Sequence, residues 1–268
     1  MSDPTELLQL EVTGFKELFE AIFWMSRGTT GRLWWRGQER DWDLLPSVNR
    51  PTKRFVEEFL TFNFSRKAMS RYSRCPSRDD FPSWLFLMQH YGLPTRLLDW
   101  SASPLVALFF ALENFNIMQN DEDSVLWGLD APALNETQLG VRMISSAHSD
   151  TVLPLFIDAF TQRENRSDSK QVAAVMTDEI DVRQLLQQSM FTIHGSTEPL
   201  NRLPGYEKFL RKILIKKEAK LMCSVAMTDL GISRSALFPD LDNLAKELKE
   251  WGPVVQANPP NQDSGPDH

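Results

Sequence analysis

Apolar residues recur at helical and at alternating spacing along the chain and predict a series of short elements. Helical periodicity predicts a first helix between Thr13, a plausible N-cap, and Gly28, and another that begins at Ser103 and Pro104. A long amphipathic helix is predicted over residues 52–74, where Phe55, Phe59, Phe62 and Met69 recur among charged residues. Further helices are predicted over residues 81–90, 217–229 and 241–251. Shorter apolar runs predict strands over residues 33–36, 95–100, 125–129, 172–177, 190–194 and 209–215, with a helical turn at 183–188.

Helices therefore dominate the first and last thirds of the chain, and short strands lie between them. The chain has no regular βαβ units and no glycine-rich phosphate loop, which argues against a Rossmann or P-loop fold. We expect one α+β domain over residues 1–251, with a small mixed β-sheet wrapped by helices. Residues 252–268 are rich in Pro, Asn, Asp and Gly, so they are expected to form a disordered tail.

Charge and cysteine content disfavour several functional classes for this protein. The net charge of −7 disfavours a broad nucleic-acid or anionic-membrane footprint. A local basic groove stays open as a possibility, on Arg32, Arg36, Arg40, Arg50, Lys53 and Arg54. Two cysteines, Cys75 and Cys223, give neither a disulfide framework nor a zinc pattern. The longest apolar run falls far short of the roughly 20 residues that span a bilayer, and the amino terminus lacks an apolar signal core. We expect a cytoplasmic protein with no membrane partner.

Residues 89–111 carry the densest polar cluster, and it lies between two strongly apolar helices. Each of its groups would cost about 1–3 kcal/mol if it were buried without a hydrogen bond. The cluster therefore forms either a closed structural network or the lining of a pocket, and the sequence leaves both open. Its members are His90, Tyr91, Thr95, Arg96, Asp99, Ser101 and Ser103.

Three short segments could converge on such a pocket. In the first, Arg36 ends a predicted strand and suits phosphate or carboxylate, although a surface salt bridge would also explain it. Gly37 would let a ligand approach the backbone closely. In the second, strand alternation places Arg96 and Asp99 on opposite faces, and Asp99 could accept hydrogen bonds from Arg36 or Arg96. Ser103 fits an N-cap.

The third segment is the glutamine pair Gln187 and Gln188 followed by an apolar strand that ends at His194. His194 could be a general base or a structural histidine, and His90 is the stronger candidate because polar residues surround it. No cluster of His, Cys, Asp or Glu has the spacing of metal ligands, so no metal is expected.

Together these segments resemble the FRG domain family, which is named for a Phe-Arg-Gly motif. The match covers Trp35-Arg36-Gly37-Gln38, Leu45-Pro46-Ser47 through Arg50, and the run from Gln89 to Ala111, and it extends over about residues 14–250. The resemblance implies a motif order similar to that of ADP-ribosyltransferases, and hence an ADP-ribosyltransferase-like fold and NAD as a substrate. It also implies a bacterial protein with a role in defence or as a toxin.

The same resemblance implies roles for individual residues. Those expected to bind NAD are Arg36, Gly37, Gln38, Arg96 and Ser101. The family pattern has a glutamate before the strand at 190–194, where this chain has Gln187 and Gln188. Because a glutamine cannot act as an acid or base, Asp99 or Glu179 would have to replace the missing acid, or a different chemistry would take over. Asp99 or Gln188 would polarise the reacting centre. The predicted catalytic residues are Asp99, Gln188 and His90.

NAD cleavage would pass ADP-ribose to a protein, a nucleic acid or water. Two alternatives stay open. One is a metal-independent nuclease that uses His90, Arg96 and Asp99. The other is a module that binds a nucleotide or a partner without turnover. The sequence does not determine the oligomeric state.

Overall fold

A computed structural model describes residues 8–27, 29, 31–52, 55–119, 122–167, 169–176 and 182–251. The described strands are β1 (Gln9–Val12), β2 (Trp34–Gln38), β3 (Leu97–Ser101), β4 (Ser124–Leu129), β5 (Ser145–Ser146), β6 (Val172–Met176), β7 (Ser189–His194) and β8 (Leu210–Ile215). The described helices are α1 (Phe15–Arg27), α2 (Glu57–Ala68), α3 (Phe81–His90), α4 (Pro104–Leu112), α5 (Ala131–Leu139), α6 (Leu153–Ile157), α7 (Val182–Gln187), α8 (Lys217–Asp229), α9 (Arg234–Leu237) and α10 (Leu241–Trp251). The predicted tail and Glu179 lie outside the described residues.

The eight strands form one mixed sheet in the order β1-β8-β4-β2-β3-β7-β6-β5. The outer pairs β1–β8 and β5–β6 are parallel, and the inner pairs are antiparallel. The predicted single α+β domain with a mixed sheet is confirmed, although the sheet is larger than the small one expected. The extra strands β1 and β5 are short and gain their ladder partners only through tertiary contact.

Both faces of the sheet are covered, so the core has two layers. On one face, Trp34, Leu98, Trp100 and Trp127 pack with α5 and the turns near Leu200. The opposite face packs against α3 and α6 at one end of the sheet and against α1, α4 and α8 at the other. Leu97 lies on that second face, so the alternation predicted for this strand is confirmed.

Local signals account for the helices beside the polar cluster. Asp80 caps α3 by accepting a hydrogen bond from the Ser83 backbone N, and Pro82 occupies its first turn. The helix is followed by Gly92 at φ +75°, the left-handed conformation that glycine adopts without steric cost. Ser103 caps α4 in the predicted way.

Helix α2 differs from its prediction in length and in orientation. It covers Glu57–Ala68 rather than residues 52–74, because the chain turns after Ala68, whose carbonyl accepts from the Arg71 and Tyr72 amides. The face that packs inward carries Glu57, Thr61 and Ala68. The apolar residues that suggested a core-facing stripe are exposed instead: Phe55, Phe59, Phe62 and Met69.

Among the described residues, no helix combines the length and the hydrophobicity that crossing a membrane requires.

Candidate functional site

A cavity of about 890 Å³ opens where the sheet splits between β2 and β3. Within these two described strands, the only paired residues are Trp35 and Ser101. Beyond that pair the strands separate, and the cavity takes the place of the ladder. Its volume falls within the range of about 300–1,000 Å³ that is typical of small-molecule sites. The strand residues that line it are Trp35, Arg36, Gly37, Gln38, Asp99, Trp100, Ser101 and Ser189.

Arg36 lies in the split and provides the first cation of the cavity. Its Nη1 donates to the backbone carbonyl oxygen of Asp99 at 2.7 Å, across the gap between β2 and β3. Its Nε is buried and has no hydrogen-bond partner. Burial lowers the pKa of the Arg36 guanidinium to about 10, a shift that Asp99 opposes and Arg50 reinforces. Arg36 is therefore cationic at neutral pH, with one buried donor unsatisfied.

Arg50 provides a second cation to the same cavity. It lies in the loop after Pro46 and is exposed, and its Nε donates to the Leu45 carbonyl at 3.4 Å. Among the described residues Arg50 has no carboxylate partner within ion-pair distance. Its effect on the pKa of Arg36 places the two guanidinium groups within electrostatic reach. Two cations facing one cavity favour an anion with more than one negative charge.

Asp99 also lines the cavity, and its carboxylate is held by neutral groups. Gln89 Nε2 donates to Asp99 Oδ2 at 2.7 Å, and the Thr95 hydroxyl donates in turn to Gln89 Oε1. The carboxylate thus takes its hydrogen bond from Gln89 rather than from Arg36 or Arg96. Arg36 contacts only the backbone of Asp99, so this carboxylate is available to a ligand while its orientation is fixed.

Ser101 lines the cavity with its hydroxyl already engaged. The Oγ donates to the Gln187 carbonyl at 2.7 Å and accepts from the Ser103 amide at 3.0 Å. The Gln187 side chain also lines the cavity, and its Nε2 donates to the Leu237 carbonyl. Gln188 is exposed at φ +47° and does not belong to the cavity lining. Of the glutamine pair, it is Gln187 that the structure places at the site.

Gly37 and Gln38 line the cavity, and both also have structural roles. The sequence predicts that Gly37 admits a ligand to the backbone, but helix α4 occupies that space. A Cβ at Gly37 would lie 1.8 Å from the Ala107 carbonyl oxygen and 2.7 Å from the Ala111 amide nitrogen. The Gln38 side chain is buried and its Oε1 accepts from Trp127 Nε1 at 2.9 Å. Both residues hold the β2 wall of the cavity in position.

Arg96 and His90 do not line the cavity, unlike Asp99. The Arg96 guanidinium is buried against Glu57, with Nη2 to Oε2 at 2.6 Å and Nε to both carboxylate oxygens at 3.1 Å. Its Nη1 donates to the Leu155 carbonyl. The His90 ring packs edge-on against Tyr91. Arg96 is therefore held in a buried ion pair and is not part of the cavity lining to which Asp99 belongs.

His194 is a buried structural histidine behind the cavity wall. Its Nε2 lies 2.9 Å from the Thr192 hydroxyl, which accepts from the indole N–H of Trp100, a cavity-lining residue. Burial, together with the nearby Arg36 and Arg96, lowers the pKa of His194 to about 3. At neutral pH this imidazole is uncharged. Through Thr192 it fixes the orientation of Trp100.

Several lining residues were not predicted as site residues. Trp42 is half exposed at the cavity, and Phe110 of α4 forms part of the wall. Glu113 lines the cavity and is paired with Arg234. The sequence indicates Arg50 only as part of a basic stretch. Its position in the Leu45–Arg50 segment, which carries part of the family resemblance, was the signal that could have identified it.

These features define an α+β protein with a cavity at a split in its sheet, lined by two arginines and by four carboxylates. The family model of the FRG domain matches residues 31–120, about a third of the chain. That range contains β2, α2, α3, β3 and α4, and with them most of the cavity lining. Residues 31–120 are therefore similar to the FRG domain. No curated protein and no solved structure gives a significant match to this chain.

Proposed function

We propose that this protein binds NAD in the cavity and cleaves it, passing ADP-ribose to a macromolecular acceptor or to water. The observation that carries the proposal is the pair of cations at the split, Arg36 with its buried unsatisfied Nε and Arg50 with no carboxylate partner among the described residues. A pyrophosphate offers the charge and the acceptor oxygens that such a pair lacks. The bacterial defence or toxin role implied by the family resemblance is part of this proposal.

The reaction breaks the bond between C1′ of the nicotinamide ribose and the pyridinium nitrogen. The bonding electron pair stays on nitrogen, so nicotinamide leaves as a neutral molecule and positive charge develops at C1′. An oxygen or nitrogen of the acceptor then bonds to C1′ and loses its proton. In this proposal Arg36 and Arg50 bind the pyrophosphate, and the Asp99 carboxylate stabilises the developing charge and accepts the proton.

Asp99 is the favoured acid because of the partners of the other carboxylates in the cavity. Asp43 is paired with Arg202, and Glu113 with Arg234. Glu39 accepts from the Asn114 amide. Asp99 is likewise held by an amide, and of these two carboxylates it is Asp99 whose backbone carbonyl Arg36 contacts across the split.

A second candidate is a module that binds a nucleotide without turnover. It is supported by the glutamine pair that stands where the ADP-ribosyltransferase pattern has its glutamate. The amide of Gln187 is engaged with the Leu237 carbonyl, and Gln188 is exposed outside the cavity. In this alternative the same cations bind the phosphates, and no bond to C1′ is broken.

Calorimetry with NAD and chromatographic detection of nicotinamide test the proposal together. The wild-type protein should bind NAD, and Arg36→Gln and Arg50→Gln should each weaken binding at least tenfold. Arg50 is exposed, so its variant is expected to fold normally. Asp99→Asn should bind NAD and release no nicotinamide. Arg163→Gln, an exposed arginine that does not line the cavity, is the matched control.

The outcomes separate the two candidates. NAD binding with nicotinamide release that Asp99→Asn abolishes supports the enzyme. NAD binding without release, for wild-type protein supplied with protein and nucleic-acid acceptors, favours the binding module. If the wild-type protein binds neither NAD nor ADP-ribose, the nucleotide site itself is refuted.

A further inference from the structure

Helix α2 presents an aromatic stripe to solvent. Phe59 and Phe62 are 63% and 65% exposed, and Phe55, just before the helix, is 37% exposed. Within the helix, the spacing i, i+3 places Phe59 and Phe62 on one face. The opposite face is fixed inward, since Glu57 pairs with Arg96 and the Thr61 hydroxyl donates to the Ala159 carbonyl. The helix cannot turn to bury its phenylalanines without breaking these buried contacts.

The same stretch is strongly basic in an otherwise acidic protein. Residues 50–78 contain eight of the 29 Lys and Arg and only two of the 36 Asp and Glu. Those two acids, Glu57 and Glu58, are paired with Arg96 and Arg166. Among the residues that the structure describes, none of the exposed cations of this stretch has an ion-pair partner, and these are Arg50, Arg66, Lys67, Arg71, Arg74 and Arg78.

Elsewhere on the surface some cations are paired and others are not. Arg40 and Arg142 form ion pairs with Glu122 and Glu136, whereas Arg32 and Arg163 have no ion-pair partner among the described residues. What distinguishes the α2 stretch is the density of its cations, with eight Lys and Arg and two acids over residues 50–78.

The stretch is continuous with the cavity. Arg50, Pro51 and Thr52 line the cavity, three residues before Phe55. On the neighbouring helix, the exposed Tyr91 contacts the rings of Phe64 and Tyr72 and is followed by Gly92, another lining residue. A ligand lying along the α2 stretch would reach the mouth of the cavity.

We infer that the α2 stretch (residues 55–78 with Arg50) binds single-stranded nucleic acid. Exposed phenylalanines stack on unpaired bases, and unpaired arginines and lysines bind the phosphates that link them. A docked protein would also cover the phenylalanines, but it would not by its apolar surface neutralise six cations. The binding is independent of NAD chemistry. The further step, that the bound strand is the acceptor of ADP-ribose, rests on the proposed function.

Fluorescence anisotropy with a labelled 20-nucleotide oligo-dT tests the inference, with the same sequence as duplex for comparison. The wild-type protein should prefer the single strand. Phe59→Ala with Phe62→Ala should weaken binding at least tenfold. Arg66→Gln with Arg71→Gln should also weaken it, and should reduce the slope of log K against log salt by about 0.7 for each phosphate that the variant no longer neutralises.

Matched controls are available on α1. Phe19→Ala with Phe23→Ala removes two phenylalanines of similar exposure, 48% and 50%, from a helix that also carries Glu17 and Glu20. This control should bind oligo-dT as tightly as wild-type protein. All four α2 substitutions are at exposed positions, and their thermal unfolding and NAD binding should match those of the wild-type protein.

The inference is overturned if wild-type protein at 50 mM salt does not bind the oligonucleotide, or if both α2 variants bind it normally. It is also overturned if the phenylalanine variant changes only the oligomeric state, since the stripe would then dock a second protein chain. Loss of NAD binding with oligonucleotide binding intact would refute the proposed function alone. The reverse result would refute only this inference.

Discussion

Replacing either member of the buried Arg96–Glu57 pair should destabilise the fold and leave nucleotide binding intact. The two residues are 6% and 5% exposed, and their side chains are joined by three hydrogen-bond contacts of 2.6–3.1 Å. Removing one partner of such a pair leaves a buried charge without compensation, which costs about 3–5 kcal/mol. At about 2–4 °C per kcal/mol, the melting temperature should fall by about 6–20 °C.

The structure also predicts which variant is worse. Glu57→Leu leaves the Arg96 guanidinium with the Leu155 carbonyl as its remaining hydrogen-bond partner. Arg96→Met leaves Glu57 with Arg166, whose Nη2 lies 3.8 Å from Oε2. Glu57→Leu should therefore lie at the upper end of the range and Arg96→Met at the lower end. The double variant should recover much of the stability, because apolar replacement of a buried ion pair is often close to neutral.

Urea denaturation of the three variants, followed by calorimetry with NAD at a temperature where each is folded, checks this reasoning. Equal unfolding free energies for Arg96→Met and wild-type protein, together with abolished NAD binding, would refute it. Arg96 would then belong to the ligand site, as the sequence alone predicts.

Two further predictions concern the cavity wall and acid stability. Gly37→Ala should lower the unfolding free energy by about 3 kcal/mol or more, because its Cβ would meet the backbone of α4 at 1.8 Å. Gly31→Ala is the control, because no atom lies within 4 Å of its Cβ, and it should change the unfolding free energy by less than about 0.5 kcal/mol. If urea denaturation gave equal changes for the two variants, the close contact between Gly37 and α4 would be contradicted. The pKa of His194 is about 3 in the folded protein and 6.5 ordinarily, so between these pH values the unfolded chain binds more protons than the folded one. The contribution of His194 to the free energy of unfolding therefore rises with pH by about 1.4 kcal/mol per pH unit over this range. Above pH 6.5 this contribution is constant. His194→Gln should flatten that part of the stability profile in denaturation measured from pH 4 to 7, and an unchanged slope would show that His194 is not its source.

The elements that the sequence predicted well are those whose signals are local. Asp80 with Pro82 begins α3, Gly92 follows its end, and Ser103 with Pro104 begins α4. A cap or a left-handed glycine acts on residues within one turn, so its effect can be judged without knowledge of the fold. The polar cluster that these helices enclose was recognised for the same reason.

The two interpretations of that cluster, a closed network or a pocket lining, both hold, for different members. Asp99 and Ser101 line the cavity, whereas Arg96 closes a buried network with Glu57. The partner of Arg96 is 39 residues away along the chain, on a helix whose orientation could not be inferred from its own pattern. The phenylalanines of α2 predicted that their own face of the helix packs inward. In the structure the opposite face, with Glu57 paired to Arg96, is buried and the phenylalanines are exposed.

The sequence by itself determined the class of fold, the ends of α1, α3, α8 and α10, and the family resemblance, because capping, periodicity and motif spacing are properties of neighbouring residues. Only the tertiary structure decided where β2 and β3 separate, which placed Arg36 and Arg50 at one cavity and left the α2 phenylalanines in solvent. Strand separation and burial depend on contacts between segments distant in the chain, whose energies no local pattern contains.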